Sequence, residues 1–306
     1  MSKILLATEK PFAADAVQKI KNAVAESRHT LETLESYTDQ QELKEAIADA
    51  EALIIRSDKV DRAIIEAGKQ LKIIVRAGAG YDNVDLAAAS ENNVVVMNTP
   101  GQNANAVAEL VIGFMIFQSR KQFNGSSGTE IRGKKLGIVG YGNIGRLVAQ
   151  AGKSLGMEVV AYDKFVEASV MQEKGIHPSG SIEDIFSTCQ YVSLHIPVVS
   201  ESKGAVDYHL LSSMPKNAML INTARQEVVN EQDLLKVMME RKDFTFVSDF
   251  MPKEAGLNDP SLAGRWFAPV KKMGAQTAEA NVNAGIAAAR QIIRFFDSGD
   301  TTFRVN

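Results

Sequence analysis

The chain has 306 residues, 45% of them hydrophobic, and a formal net charge of −3. That length suits one large or two medium domains with full cores, and the balance of charge offers a nucleic acid no electrostatic attraction. No apolar run approaches a membrane span. The opening Met1-Ser2-Lys3-Ile4-Leu5 lacks the apolar core and cleavage site of a secretory signal, and a single cysteine, Cys189, excludes an intramolecular disulfide. The chain is therefore expected to be soluble and cytoplasmic, without membrane or nucleic-acid partners and without a metal, and Cys189 is expected to be a small core residue.

Strands and helices alternate along the chain, which argues for parallel α/β sheets. The first third reads as strands over Lys3–Thr8, 52–57, 72–78 and 94–99, separated by helical segments such as 12–26 and 40–49. A long, very apolar helix over 105–121 follows, then Asn124-Gly125-Ser126-Ser127-Gly128, which has linker composition.

The next segment, Lys135-Leu136-Gly137-Ile138-Val139-Gly140-Tyr141-Gly142-Asn143-Ile144-Gly145, reads as strand, glycine turn and helix start. Gly140, Gly142 and Gly145 have the G-x-G-x-x-G spacing of a dinucleotide site. The first allows the tight turn, the second lets a pyrophosphate approach the backbone, and the third brings the helix close to the strand. Asn143 and Ile144 lie in the helical turn whose free N–H groups would meet the phosphate charge. A second apolar run, Glu158–Tyr162, ends at Asp163. A carboxylate there accepts hydrogen bonds from the ribose hydroxyls and repels a 2′-phosphate, so NAD is expected rather than NADP. Lys164 softens that preference slightly.

Further strands are expected over 191–196, 218–223 and 244–249, with a helix over 231–241 and an alanine-rich helix over 278–296 that crosses back to the first domain. The predicted fold is α/β: two Rossmann-like, doubly wound parallel-sheet domains with a cleft between them. Residues 1–99 with 278–306 would form the substrate domain and 100–277 the NAD domain.

These motifs, together with Ile55-Arg56-Ser57, the run from Val75 to Asp85, Asn98-Thr99-Pro100, Asn103, Ala108-Glu109-Leu110, Leu194-His195-Ile196-Pro197 and Ile221-Asn222-Thr223-Ala224-Arg225, resemble the D-isomer-specific 2-hydroxyacid dehydrogenase family, its phosphoglycerate dehydrogenase branch in particular. The resemblance covers nearly the whole chain. It implies reversible hydride transfer between NAD and C2 of a 2-hydroxy acid, hinge closure and a homodimer built through the NAD domain, with the apolar stretch 107–117 suited to its interface. Arg225 would clamp the substrate carboxylate, Glu254 would orient the proton-transfer residue, and Asp249 would contact the nicotinamide carboxamide. His195, Pro197, Thr223 and Ala224 would lie along the cofactor. Arg56, Ser57, Arg76, Ala77, Gly78 and Asn103 would hold the substrate, the first two near a phosphate. The substrate this favours is 3-phospho-D-glycerate, oxidised to 3-phosphonooxypyruvate.

The chain departs from the family at several points. Lys272 stands where the acid/base histidine is usual, in Lys272-Met273-Gly274-Ala275-Gln276-Thr277. An ammonium is a competent acid for reducing a 2-oxo acid, but with a reference pKa of about 10.4 a lysine must first lose a proton to act as base, so oxidation is expected to favour alkaline pH. Gln226 replaces the glycine after the clamp, Ala255 replaces a proline after the acid, and the segment 121–130 is shortened. Two alternatives stay open: a hydroxypyruvate, glyoxylate or D-lactate-type enzyme of the same class, and an NAD(H)-sensing binding protein.

Overall fold

The computed structural model describes residues 1–12 and 14–306; Ala13, inside the helix expected over 12–26, lies outside the described residues. The chain divides into two compact units, Met1–Asn103 with Gln276–Asn306, and Ala104–Ala275.

The first unit is built on five parallel strands, β1 (Lys3–Thr8), β2 (Thr30–Glu35), β3 (Ala52–Ile55), β4 (Ile73–Arg76) and β5 (Val95–Asn98), in the order β2-β1-β3-β4-β5. Parallel strands covered on both faces read as continuous apolar runs, and β3, Ala-Leu-Ile-Ile, is buried throughout. Alternate residues supply two cores. Ile4, Leu6, Ile54 and Val75 pack with Ile20 of the Ala14–Ala25 helix and with Ala288 and Ile292 of the Ala278–Ser298 helix. Leu5, Leu53, Ile55 and Ile74 face Leu43 and Ile64. β2 was not among the expected strands. It is an edge strand, Thr-Leu-Glu-Thr-Leu-Glu, with no fully buried position, so it carries no continuous apolar signal. The final Asn306 is stitched onto β5: its side chain accepts from the Val96 N–H at 2.8 Å and donates to the Val94 carbonyl at 2.9 Å.

The second unit has seven parallel strands: β6 (Lys135–Val139), β7 (Glu158–Tyr162), β8 (His177–Pro178), β9 (Tyr191–Leu194), β10 (Met219–Asn222), β11 (Thr245–Ser248) and β12 (Trp266–Phe267). Their order is β12-β11-β10-β9-β6-β7-β8, the doubly wound arrangement in which the chain reverses direction across the sheet between β6 and β9. The short β8 and β12, two residues each, were not expected as strands. Cys189 is buried in the core between β9 and the Ile182–Thr188 helix, and burial pushes its thiol up.

Six of the expected strands end one or two residues early. Serine, glycine, threonine, isoleucine and aspartate at positions 57, 78, 99, 196, 223 and 249 leave the ladder and turn into the loops at the carboxyl edges.

Ile20 is fully buried against the Ala278–Ser298 helix, where its Cδ1 lies 2.5 Å from the place a Cβ on Gly285 would occupy. Ile20→Ala is expected to destabilise the first unit by about 2–5 kcal/mol. Thermal melts should show a lowered transition, while NADH binding to the second unit is preserved.

Candidate active site

Parallel α/β sheets collect ligands at the carboxyl ends of their strands, above the point where strand order reverses. In the second unit the loop between β6 and the Asn143–Ser154 helix sits at that point. Gly140 has φ +96, a left-handed conformation that suits glycine, and a Cβ on it would stand 2.8 Å from the His195 carbonyl oxygen. A Cβ on Gly145 would stand 2.0 Å from the Gly140 carbonyl oxygen. The contact holds the helix start directly over the strand end. At Gly142, by contrast, the position of a Cβ faces open space, and as N-cap it supplies no side-chain acceptor to the helix. The N–H groups of Asn143, Ile144 and Gly145 therefore point out of an uncapped helix start, beside a residue without bulk.

At the end of β7, Asp163 accepts the Tyr141 N–H at 2.7 Å with one oxygen and the Phe165 N–H at 2.8 Å with the other. It thus braces the glycine loop and keeps a negative charge beside it. Following β9, the His195 ring bonds through Nε2 to the Ser193 hydroxyl at 2.9 Å. Its Nδ1 is buried without a partner among the described residues, as is the Thr223 hydroxyl after β10. Burial holds the imidazole down at about 3, so it is neutral in any physiological range. Pro197 is exposed beyond it and Ala224 is half-buried. An open, uncapped helix start, an acid at the second strand end and two buried polar atoms in need of partners are what a dinucleotide requires.

Three further groups follow β10, β11 and β12 along the same edge. Arg225 is half-buried; its backbone is fixed by the Asn222 side chain, whose Nδ2 donates to the Arg225 carbonyl at 2.9 Å while Oδ1 accepts the Ala224 N–H at 3.1 Å. Glu254 is half-buried at the start of a 3-10 turn, where its Oε1 accepts the Gly256 N–H at 3.2 Å. Lys272 is exposed, with Nζ 6.0 Å from the centre of the Phe250 ring. Asp249 is fully buried and accepts the N–H groups of Met273 and Gly274, the latter with both oxygens, at 2.6–3.1 Å. Burial pushes its carboxyl up, opposed by those N–H groups and by the Lys272 charge. In this structure Asp249 therefore sets the backbone that carries Lys272.

In the first unit the reversal of strand order lies between β1 and β3, and Arg56 follows β3 there. Its guanidinium lies 5.8 Å from the Phe12 ring centre and 3.5 Å from the Gln276 Oε1; among the described residues no carboxylate pairs with it, and burial lowers its pKa. Ser57 beside it is exposed. Arg76, at the end of β4, donates from Nε to the Arg56 carbonyl at 2.8 Å. Ala77 and Gly78 are buried after it and Asn103 is half-buried at the unit boundary.

Read from the sequence, Asp58 is one of the acids, with Asp82, that Arg56 and Arg76 could pair with; its role in holding backbone is seen only in the structure. It is buried, and its carboxylate accepts the Glu9 N–H at 2.6 Å, the Tyr37 hydroxyl at 3.1 Å and the Arg56 N–H at 3.0 Å. Burial and the neighbouring Asp58 charge push the Tyr37 hydroxyl up. An acid three residues past the end of β3 is the one signal in the sequence for that role.

Residues 105–270 match the NAD-binding domain of the D-isomer-specific 2-hydroxyacid dehydrogenases. A solved 3-phosphoglycerate dehydrogenase of Entamoeba histolytica, with NAD+ bound, is 44% identical and superposes with a TM-score of 0.88 over 100% of this chain and 98% of that one. The chain belongs to the D-isomer-specific 2-hydroxyacid dehydrogenase family, and NAD is its cofactor. Among characterised relatives, the D-3-phosphoglycerate dehydrogenase of Methanocaldococcus jannaschii is 32% identical over 95% of this chain and 57% of its own. The hydroxypyruvate reductase of Thermotoga maritima is 29% identical over 96% of this chain and 99% of its own. The chain thus spans a little over half the length of the Methanocaldococcus jannaschii enzyme but nearly all of the Entamoeba histolytica and Thermotoga maritima ones.

Gly145→Ala is expected to weaken NADH binding roughly tenfold or more, because the helix start must move off the strand; fluorescence titration reads it. His195 makes a second expectation. An unfolded histidine takes up a proton near 6.5 and the folded one only near 3, so between those values the unfolded state binds the extra proton and stability falls as pH falls. The slope from this residue is about 1.4 kcal/mol per pH unit. Melts of His195→Asn between pH 4.5 and 7 should lack that component.

Proposed function

We propose that the chain is an NAD-dependent D-2-hydroxyacid dehydrogenase whose substrate pair is 3-phospho-D-glycerate and 3-phosphonooxypyruvate. Arg225 clamps the substrate carboxylate through its planar pair of N–H donors and polarises the C2 oxygen. Lys272 takes the C2 hydroxyl proton in oxidation and returns it in reduction, and Glu254 orients the ammonium. NAD, when bound, would supply the redox chemistry as acceptor or donor of the C2 hydride. Gly140, Gly142, Asn143, Ile144, Gly145 and Asp163 would hold its pyrophosphate and ribose, and His195, Pro197, Thr223, Ala224 and Asp249 would hold the rest of it. Arg56 and Ser57 read the substrate phosphate, with Arg76 as a second arginine for the dianion, while the backbone at Gly78 approaches the substrate carboxylate and Ala77 and Asn103 line the same substrate site.

The observation that supports the choice of substrate is the Arg56 guanidinium, half-buried at a strand-order reversal and without a salt bridge among the described residues, where burial outweighs the pull of the nearby Asp58 charge. A dianionic phosphate would relieve that burial; an unphosphorylated acid has no use for it. A second reading, hydroxypyruvate reduction, is supported by the 29% identity to the Thermotoga maritima enzyme over 96% of this chain. The chain is further proposed to be cytoplasmic, in keeping with its single cysteine, and to pair with a second copy through the second unit, where Ile116 and Phe123 are exposed on and just after the Ala104–Ser119 helix. Light scattering tests the pairing: a dimer mass is expected and a monomer mass would refute it.

NADH oxidation with 3-phosphonooxypyruvate, hydroxypyruvate, glyoxylate and pyruvate tests the reading. Strong preference for the phosphorylated acid is expected, with Arg56→Met raising its KM about 10- to 100-fold and leaving hydroxypyruvate little changed. Preference for hydroxypyruvate transfers the assignment to the second reading, and NADH binding without turnover would point to a sensor. Lys272→Ala is expected to lower kcat about 10²- to 10⁴-fold. Lys272→His should move the rising limb of the oxidation pH profile towards neutrality, since a histidine loses its proton several units below a lysine.

A further inference from the structure

We propose that Glu231 is a positioning residue that ties the Arg225 and Glu254 segments into one rigid piece. Its carboxylate is shared between them. Oε1 accepts the Gln226 side-chain Nε2–H at 2.7 Å, and Oε2 accepts the backbone N–H groups of Lys253 and Glu254 at 2.9 and 2.8 Å. Gln226 follows Arg225 directly, and the Glu254 N–H belongs to the acid itself. One half-buried side chain therefore spans from the residue beside the clamp to the backbone of the orienting acid.

The local sequence explains why Glu231 is available for this. It is the first residue of the Glu231–Glu240 helix, where a carboxylate is favoured by the helix dipole. Capping of that helix is performed by Asn230, whose side chain accepts the Asp233 N–H at 3.2 Å, so Glu231 is not needed at its own helix end. Both of its oxygens are free to serve the neighbouring loops. Ionised, it offers only acceptors, and every partner it meets is a donor.

Gln226 gives the arrangement its particular interest. The residue after the clamp arginine is ordinarily glycine in the resemblance described above, and a glycine has no side chain with which to reach Glu231. The arm towards Arg225 is thus a feature of this chain. Without it Glu231 would brace the Glu254 loop alone; with it, the loops following β10 and β11 are joined by hydrogen bonds to a single group. Reacting groups must be held to fractions of an ångström, and displacement by about 1 Å can cost 10²-fold in rate.

The inference rests on the reading that Arg225 and Glu254 act on the substrate, so those residues are tested in parallel. Steady-state kinetics with NADH and the best 2-oxo acid of the panel above would compare Glu231→Ala, Glu231→Gln, Gln226→Ala and the double alanine variant. Glu231→Ala is expected to lower kcat about 10- to 100-fold while the NADH Kd stays within about twofold. Glu231→Gln should recover most of the rate, because its oxygen can accept the two backbone N–H groups and Gln226 can turn its amide to accept the new N–H. Gln226→Ala should raise KM and lower kcat about threefold, and the double variant should be no worse than Glu231→Ala alone, since the Gln226 arm acts only through Glu231.

A kcat for Glu231→Ala within about twofold of wild type, or additive losses in the double variant, would overturn the proposal. Should Glu231→Ala fail to fold, Gln226→Ala still decides it: kinetics unchanged from wild type refute the link. Full turnover in Arg225→Ala and Glu254→Gln would instead overturn the reading of the site itself, and is distinguishable from a silent Glu231.

Discussion

The approach of Gly145 to the Gly140 carbonyl leaves no room for a methyl group, and the geometry of the second unit follows from it. Only this contact lets the Asn143–Ser154 helix begin directly above the end of β6. The helix start then presents its free N–H groups at the point where strand order reverses, with the sheet continuing to β7 on one side and to β9 on the other. Asp163 and His195 are each one residue past a neighbouring strand. They reach the glycine loop through the Tyr141 N–H and the His195 N–H to Val139 bond. The cofactor site is thus a consequence of parallel register. Every strand delivers its loop to the same edge.

A second theme is the use of buried or half-buried carboxylates as acceptors for backbone N–H groups. Asp58, Asp249 and Glu231 each do this, and each sits beside a segment with a proposed chemical role: Arg56, Lys272, and Arg225 with Glu254. An ionised carboxylate makes strong bonds to N–H donors and tolerates burial only when they are supplied. The pairing therefore stiffens loops that have no sheet ladder of their own. It also explains a functional departure without loss of architecture. The lysine at position 272 changes what proton chemistry is available, while the loop that carries it is set by Asp249 through the backbone of Met273 and Gly274, whatever the side chain at 272.

Much of the fold could be read directly. β1, β3, β4, β6, β9 and β10 are apolar runs because both sheet faces are covered, and burial on two sides leaves an unambiguous mark on composition. The half-exposed edge strand β2 left no such mark, nor did the two-residue β8 and β12. Strand ends were read one or two residues long for a related reason. Ser57, Thr223 and Asp249 continue the local pattern but leave the ladder to form loops, and the ladder is a property of pairs of strands rather than of one. The helix over 278–296 was legible as a helix; that its Val282, Ala288 and Ile292 share a core with Ile20 and Phe12 was settled by packing.

By itself the sequence determined the alternation of strand and helix, the glycine spacing, the acid after the second strand and the lysine in place of a histidine, because each of these is a local pattern with a local physical meaning. Only the tertiary structure decided which carboxylates brace which loops. Asp58 meets Glu9 at a separation of 49 residues, Asp249 meets Gly274 at 25 and Glu231 meets Glu254 at 23. In each case the partner is a backbone N–H, which every residue but proline possesses, so no residue type in the sequence announces the bond.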